Sequence, residues 1–236
     1  LERFGWLSRR TTVGGIVVHA ASVGEVIALK AFIEQLLHHY SGLSITITTF
    51  TPTGSAQVKK LFGDRVQHFY LPLDIFCCTW LFLRTLKPTA MIFMETELWP
   101  NLIQQAKNRQ VKLLLINGRL SKNSVKNYQK LSWLISPTIN NFNKILSQSQ
   151  DNYQNFIDLG ADPLRCEVSG NIKFDISLTS KIAQQSKDLM EFVEGKRLLW
   201  VVASTHEGDE ELALKAFDKL KILYPALLLV IVPRHP

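Results

Sequence analysis

Cysteine is sparse in this chain, three in 236 residues, and its placement excludes more than its number does. Cys77 and Cys78 are adjacent and Cys166 stands alone, so no C-x-x-C pair, zinc-spaced His/Cys cluster or disulfide framework exists. That pattern suits a reducing compartment. Long apolar runs are also missing. The longest apolar neighbourhood, "LPLDIFCCTWLFL", is interrupted by Asp74 and is too short to span a bilayer. No signal peptide is visible. No G-x-G-x-x-G follows a strand, and G-x-x-x-x-G-K-[ST], H-E-x-x-H and G-x-S-x-G do not occur. These absences argue against NAD enzymes, ATPases and α/β-hydrolases. There is no repeat of fixed period and no low-complexity tract.

What the chain does have is positive charge and a regular rhythm. A formal net charge of +7 favours anionic partners, whether phosphates, nucleotides, nucleic acid or an anionic membrane face, without choosing among them. With 46% hydrophobic residues, the length suffices for one large or two medium domains. Strand-length apolar runs recur: "GIVVHA", "LSITITT", "VQHFYL", "TAMIFM", "VKLLLIN" and "NKILS". Segments of helical spacing at 23–40, 54–62, 75–86, 100–109 and 122–138 lie between most of them. This alternation predicts an α/β fold, a parallel doubly wound sheet covered on both faces. "TPTGS" and "FGD" read as turns, and Trp99-Pro100 as a staple and helix start. After "RCEVSGNIKFD" the rhythm changes, with a polar stretch carrying a helix at 179–193. Then come strand "RLLWVVA", helix 207–223 and strand "ALLLVIVP". Two strands and one helix do not enclose a core. The expectation is a Rossmann-like domain over 1–175, a linker with a helix over 176–196, and the opening of a second Rossmann-like domain over 197–236, cut short.

In open parallel sheets, ligands bind outside the carboxyl ends of the strands. Glu25 stands there, after the first strand. Ser22-x-x-Glu25 also matches a capping box, in which each side chain satisfies an orphan backbone N–H, so cap and catalytic carboxylate both stay open. Ser204-x-x-Glu207 repeats the pattern after the strand "RLLWVVA". Glu95 and Glu97 follow "TAMIFM" two apart, on one face if the strand continues. They are either solvated loop acids or a functional pair, and with no D-x-D element or histidine partner a metal pair gains no support. Lys173 in "GNIKFD" is either a linker lysine or a cation facing the crevice that neutralises a leaving phosphate. Arg234 and His235 follow "LLLVIV", where an arginine suits a bidentate phosphate contact or a surface ion pair.

Taken together, "HAASVGE", "TTFTPTGS", "YLPLD", "METELWPN", "NGRLS", "GNIKFD", "STHEG" and "VPRHP", in this order and spacing, closely resemble the bacterial 3-deoxy-D-manno-octulosonic acid (Kdo) transferases of lipopolysaccharide synthesis. The resemblance covers essentially the whole chain. It implies the GT-B architecture, two Rossmann-like domains with the active site between them. It also implies inverting transfer of Kdo from CMP-Kdo to the lipid A precursor on the cytoplasmic face of the inner membrane, with no cofactor and no metal. By resemblance Glu25 is the general base, and Glu95 and Lys173 stabilise the transition state. Pro233 and Arg234 belong to the CMP site, with Ser204, Thr205, His206 and Glu207 as further candidates there and Ser22 as an acceptor or cap residue. Family members usually begin with a hydrophobic anchor and continue through a Gly-rich second half of the nucleotide domain. Both are missing here, so the fragment alone is expected to be inactive. Gly118 stands where the family more often has Ala, a change expected to have no consequence.

CMP is already a leaving group, so this chemistry needs a base, charge stabilisation for the phosphate and an enclosed cleft. A carboxylate at a helix N-terminus is expected to be held ionised by the dipole and by backbone donors. The phosphorylated lipid acceptor makes the basic charge intelligible. On a helix over 122–138, Lys122, Lys126 and Lys130 share one face that suits lipid phosphates, with Tyr128 and Trp133 nearby, and "IFCCTWLFLR" is a second candidate membrane contact. The competing readings are another GT-B nucleotide-sugar enzyme, such as a UDP-sugar epimerase or transferase, and a basic α/β nucleic-acid-binding module. The resemblance leaves no nucleic-acid partner expected.

Overall fold

The computed structural model describes residues 1–7, 11–174, 180–193 and 198–234. The chain divides into two compact units, Leu1–Ile176 and Ser177–Pro236. In the first, β1 (Ile16–His19), β2 (Ile45–Thr49), β3 (Gln67–Tyr70), β4 (Ala90–Met94), β5 (Lys112–Gly118), β6 (Lys144–Ser147) and β7 (Cys166–Val168) form one sheet in the order β3-β2-β1-β4-β5-β6-β7. Every neighbouring pair is parallel. The α/β class with Rossmann-like topology is therefore as the strand–helix alternation predicts. Strand order reverses between β1 and β4, so the switch point where such sheets open a crevice lies beyond His19 and Met94.

Alternation within the strands builds two cores. Val17 of β1 joins the layer of Leu83, Phe93 and Phe142, while its neighbour Val18 joins Ile33, Ile47 and Phe62 on the other face. Each such fully buried side chain contributes about 1.5–3 kcal/mol. The helices are α1 (Val23–Ala28), α2 (Lys30–His39), α3 (Pro52–Phe62), α4 (Phe76–Leu86), α5 (Pro100–Asn108), α6 (Lys122–Gln129), α7 (Ser132–Asn140) and α8 (Gln150–Asp158). Pro100 does start α5, where its missing N–H costs nothing.

Three segments differ from the sequence expectation. The helix over 23–40 is α1 and α2 meeting at Leu29, whose N–H still bonds the Glu25 carbonyl. The helix over 122–138 is two helices, because Leu131 leaves helical geometry at φ −117, ψ 30. Val125 and Ile135, one on each side of the break, both enter one core. Helix α8 and strand β7 had no predicted counterpart: "QDNYQNFID" is mostly polar, and β7 is a three-residue edge strand.

The second unit contains α9 (Ser180–Phe192), β8 (Leu199–Thr205), α10 (Asp209–Leu223) and β9 (Leu228–Pro233), with β8 and β9 a parallel pair. Of the expected linker, 176–179 and 194–196 lie outside the described residues, as do residues 175 and 197, His235 and Pro236. Among the described residues, no helix is long and apolar enough to cross a membrane.

Candidate functional site

Ser22 caps α1 in extended conformation, its Oγ accepting from the Glu25 N–H at 3.4 Å. The Glu25 carboxylate folds back over the cap. Its Oε1 accepts from Ser22 Oγ at 2.7 Å and its Oε2 from the Ala21 N–H at 2.9 Å. The return bond reaches one residue beyond the N-cap, so this is an extended form of the capping box. Glu25 is only 7% exposed. Burial pushes its carboxyl above the ordinary value of 4.5; the Ser22 and Ala21 bonds oppose that rise, and the charges of Glu95 and Glu97 add to it. The helix end and its donors do not set the direction of the shift: desolvation outweighs them, which makes Glu25 a stronger base than a solvated cap carboxylate.

The β4 strand stops at Met94, so Glu95 and Glu97 do not share a strand face. Glu95 turns the chain at φ 59, an uncommon conformation for a residue with a side chain, and its N–H bonds the Ile116 carbonyl. Its Oε1 meets Lys173 Nζ at 2.8 Å, an ion pair 78 residues apart in sequence. Lys173 reaches it from the 3₁₀ turn Ile172–Phe174, which is fastened where Asn117 Oδ1 accepts from the Ile172 N–H at 3.1 Å. Glu97 accepts from Trp99 Nε1 at 2.9 Å, and its Oε2 lies 3.5 Å from His19 Nε2. Trp99 does more than lead into α5: it stacks on Phe50 at 5.7 Å and meets His19 edge-on at 6.1 Å.

The structure thus brings Glu25, Glu95 and Lys173 to the carboxyl edge of the sheet at its switch point, with Ser22 beside Glu25. Sequence reasoning passed over His19 and Asn117. Both are buried, and the buried side-chain atoms without a hydrogen-bond partner among the described residues are His19 Nε2, Asn117 Nδ2 and Ser147 Oγ. All three sit at the carboxyl ends of strands, β1, β5 and β6. Polar residues closing apolar runs were the available signal. Among the described residues, no group of three or more His, Cys, Asp or Glu side chains is arranged to hold a metal ion. Gly118 has a consequence after all: a Cβ there would lie 2.9 Å from Phe156 Cε2 and 3.2 Å from the Leu146 carbonyl oxygen, so Phe156 packs where an alanine methyl would go.

In the second unit, "STHE" is not a second capping box. Ser204 is exposed within an irregular end of β8 at φ 62, and α10 starts later, with Gly208 at its N-cap. The turn is held by other bonds: Asp209 Oδ2 accepts from the His206 N–H at 2.9 Å, and Thr205 Oγ1 donates to Glu210 Oε1. Glu207 is exposed. The strand ends nevertheless converge. Arg234, just after Pro233, donates through its backbone to the Thr205 carbonyl at 3.2 Å and through Nη1 to His206 Nε2 at 3.3 Å.

Comparison with known proteins adds relatives to this geometry. The chain is 40% identical to 3-deoxy-D-manno-octulosonic acid transferase of Haemophilus influenzae, over all of this chain and 56% of that protein. It is 33% identical to the transferase of the same name from Rickettsia felis, over 94% of this chain and 47% of the relative. A probable mitochondrial transferase of Arabidopsis thaliana is 34% identical over the full chain and 54% of its own length. The chain spans about half the length of these curated relatives. Among solved structures, UDP-GlcNAc 2-epimerase of Neisseria meningitidis superposes with a TM-score of 0.62 at 14% identity, covering 93% of this chain and 65% of that one. The corresponding enzyme of Methanocaldococcus jannaschii gives 0.53 at 12% identity, over 94% and 66%. These share the Rossmann-like GT-B fold. The family model for 3-deoxy-D-manno-octulosonic-acid transferase (kdotransferase) matches residues 1–176, and with these relatives it shows that the chain belongs to the Kdo transferase family of glycosyltransferases.

Proposed function

We propose that the protein containing this chain is an inverting glycosyltransferase that moves Kdo from CMP-Kdo to the lipid A precursor in lipopolysaccharide synthesis. The supporting observation is the buried Glu25, its basicity raised, at one strand edge with the Glu95–Lys173 pair. In this reading Glu25 takes the proton of the acceptor hydroxyl as its oxygen attacks the anomeric carbon of Kdo. The bond to the CMP phosphate breaks on the opposite face, and CMP leaves with the electron pair. Lys173, oriented by Glu95, offers its ammonium to the developing phosphate charge. In the second unit, taken by itself, Arg234 supplies a guanidinium suited to the donor phosphate. No cofactor or metal enters this scheme.

An anionic membrane is the third proposed partner, at the cytoplasmic face of the inner membrane. Large apolar side chains stand exposed around the carboxyl side of the first unit: Phe4, Trp6, Ile75, Phe76, Leu131 and Trp133, the last 73% exposed. Lys122, Lys126 and Lys130 are exposed too, and Lys130 adjoins Leu131 in the chain. Apolar anchors next to cations suit a lipid surface. Changing the three lysines to glutamate in the full-length protein is expected to weaken binding to anionic vesicles, and unchanged binding would refute this surface. The assay for the function itself is CMP release from CMP-Kdo by the full-length protein, with and without lipid A precursor. Lipid-dependent release is expected, and its absence would overturn the assignment.

A further inference from the structure

His19 closes β1 and is fully buried. Its Nδ1 lies 3.1 Å from the Thr48 carbonyl oxygen and 3.0 Å from Thr48 Oγ1. The carbonyl oxygen only accepts and the hydroxyl accepts as readily as it donates, so a ring proton on Nδ1 suits both contacts, whereas a bare Nδ1 would face the carbonyl lone pairs. In a neutral ring Nε2 then carries only a lone pair. It has no hydrogen-bond partner, and 3.5 Å away stands a carboxylate oxygen of Glu97. Two acceptors facing each other across so short a gap repel, whereas a proton on Nε2 turns the same geometry into an ion pair.

We propose that His19 is a positioning residue whose Nε2 carries a second ring proton toward Glu97, cancelling that carboxylate's charge beside the base Glu25. The inference rests on the Kdo-transfer reading for its catalytic consequence. Full burial keeps His19 away from substrate, so it acts through Glu97. The groups facing this pair are few. Phe93 and Trp99 meet the ring edge-on, and Trp99 Nε1 donates to Glu97. From α6 Tyr128 senses Glu97, and its hydroxyl is pushed up first by burial and then by that charge. Glu25 senses both Glu95 and Glu97, of which Glu95 is already paired with Lys173. Glu97 is therefore the charge near the base that still needs a partner, and His19 is placed to be it.

The test compares kcat/KM against pH for the full-length enzyme and three variants. His19→Asn keeps an N–H close to the Nδ1 position for Thr48 and removes Nε2. Its acid limb is expected to move up by roughly one pH unit, the scale of one nearby uncompensated charge at an effective dielectric near 20. Glu97→Gln still accepts from Trp99 and is expected to leave the limb in place, because the pair it disrupts is net neutral. The double variant is expected to return the limb to the wild-type position. An unmoved limb in His19→Asn, or a lowered limb in Glu97→Gln, would overturn the proposal. A readout independent of turnover keeps it testable should His19→Asn misfold or Kdo transfer be absent. In ¹⁵N-histidine spectra of the full-length protein near neutral pH, His19 is expected to carry both ring protons in wild type and one in Glu97→Gln. A wild-type ring carrying one proton, on either nitrogen, would refute it, whereas loss of the Kdo-transfer reading shows separately, as absent lipid-dependent CMP release.

Discussion

Replacing Glu25 by Gln separates its cap role from the proposed base role, because the two depend on different atoms. A glutamine at 25 turns its carbonyl oxygen toward the Ala21 N–H and its amide toward Ser22 Oγ, which still accepts from the residue 25 N–H. No buried polar group is orphaned, so the loss is bounded by the worth of a cap, about 1 kcal/mol. For a domain of this size that is a Tm change of about 2–4 °C. The base is worth far more: general-base catalysis contributes about 10²–10⁴ in rate, or about 3–5 kcal/mol of barrier. The full-length Glu25→Gln enzyme is therefore expected to melt within a few degrees of wild type and to turn over at least a hundredfold more slowly, measured as lipid-dependent CMP release. The pH dependence carries a sign as well. Because burial raises the carboxyl in the folded state, its stabilising share is complete below about 4.5 and is lost as pH rises through the folded-state value. Glutamine has no such loss, so the variant's Tm should gain on wild type as pH increases across that window. Turnover within tenfold of wild type, at a comparable Tm, would return Glu25 to the status of a cap and refute the reasoning.

Lys173→Met should lower kcat by tenfold or more with a stability change below about 1 kcal/mol, since the Lys173–Glu95 pair is partly exposed; parallel kinetics and thermal melts check it. Asn117→Ala removes the acceptor of the Ile172 N–H at a buried position with φ 54. A destabilisation of about 1–3 kcal/mol in urea is expected, with kcat falling as the Lys173 turn loosens. Gly118→Ala should cost about 1–3 kcal/mol from the clash with Phe156, and pairing it with Phe156→Leu should recover most of that; an additive double variant would contradict the packing argument. Arg234→Gln should raise the KM for CMP-Kdo more than it lowers kcat, because its guanidinium is assigned to the donor phosphate.

The sequence by itself determined the class of fold and most of its elements. Apolar runs such as "TAMIFM", separated by helical spacing, leave a parallel sheet covered on both faces as the stable arrangement, because each run is too apolar to face water. It also singled out Glu25 and Glu95 after strands, and Lys173 where the chain leaves the first domain, through motif order. Tertiary structure decided what those residues experience. The Ser22-x-x-Glu25 pattern is local and legible, but burial is a property of the surrounding chain, and it raises the affinity of the capping carboxylate for its proton. The same pattern at Ser204 formed no cap, since a strand irregularity at Ser204 moves the helix start to Asp209. Local spacing carries no record of that shift. The Lys173–Glu95 pair, the hold of Asn117 on Ile172 and the aim of His19 at Glu97 join residues 55 to 78 positions apart. Only strand order and register bring them within hydrogen-bonding or ion-pair range. Chain neighbours set which elements form; contacts across the sheet edge set protonation and charge, and with them the chemistry.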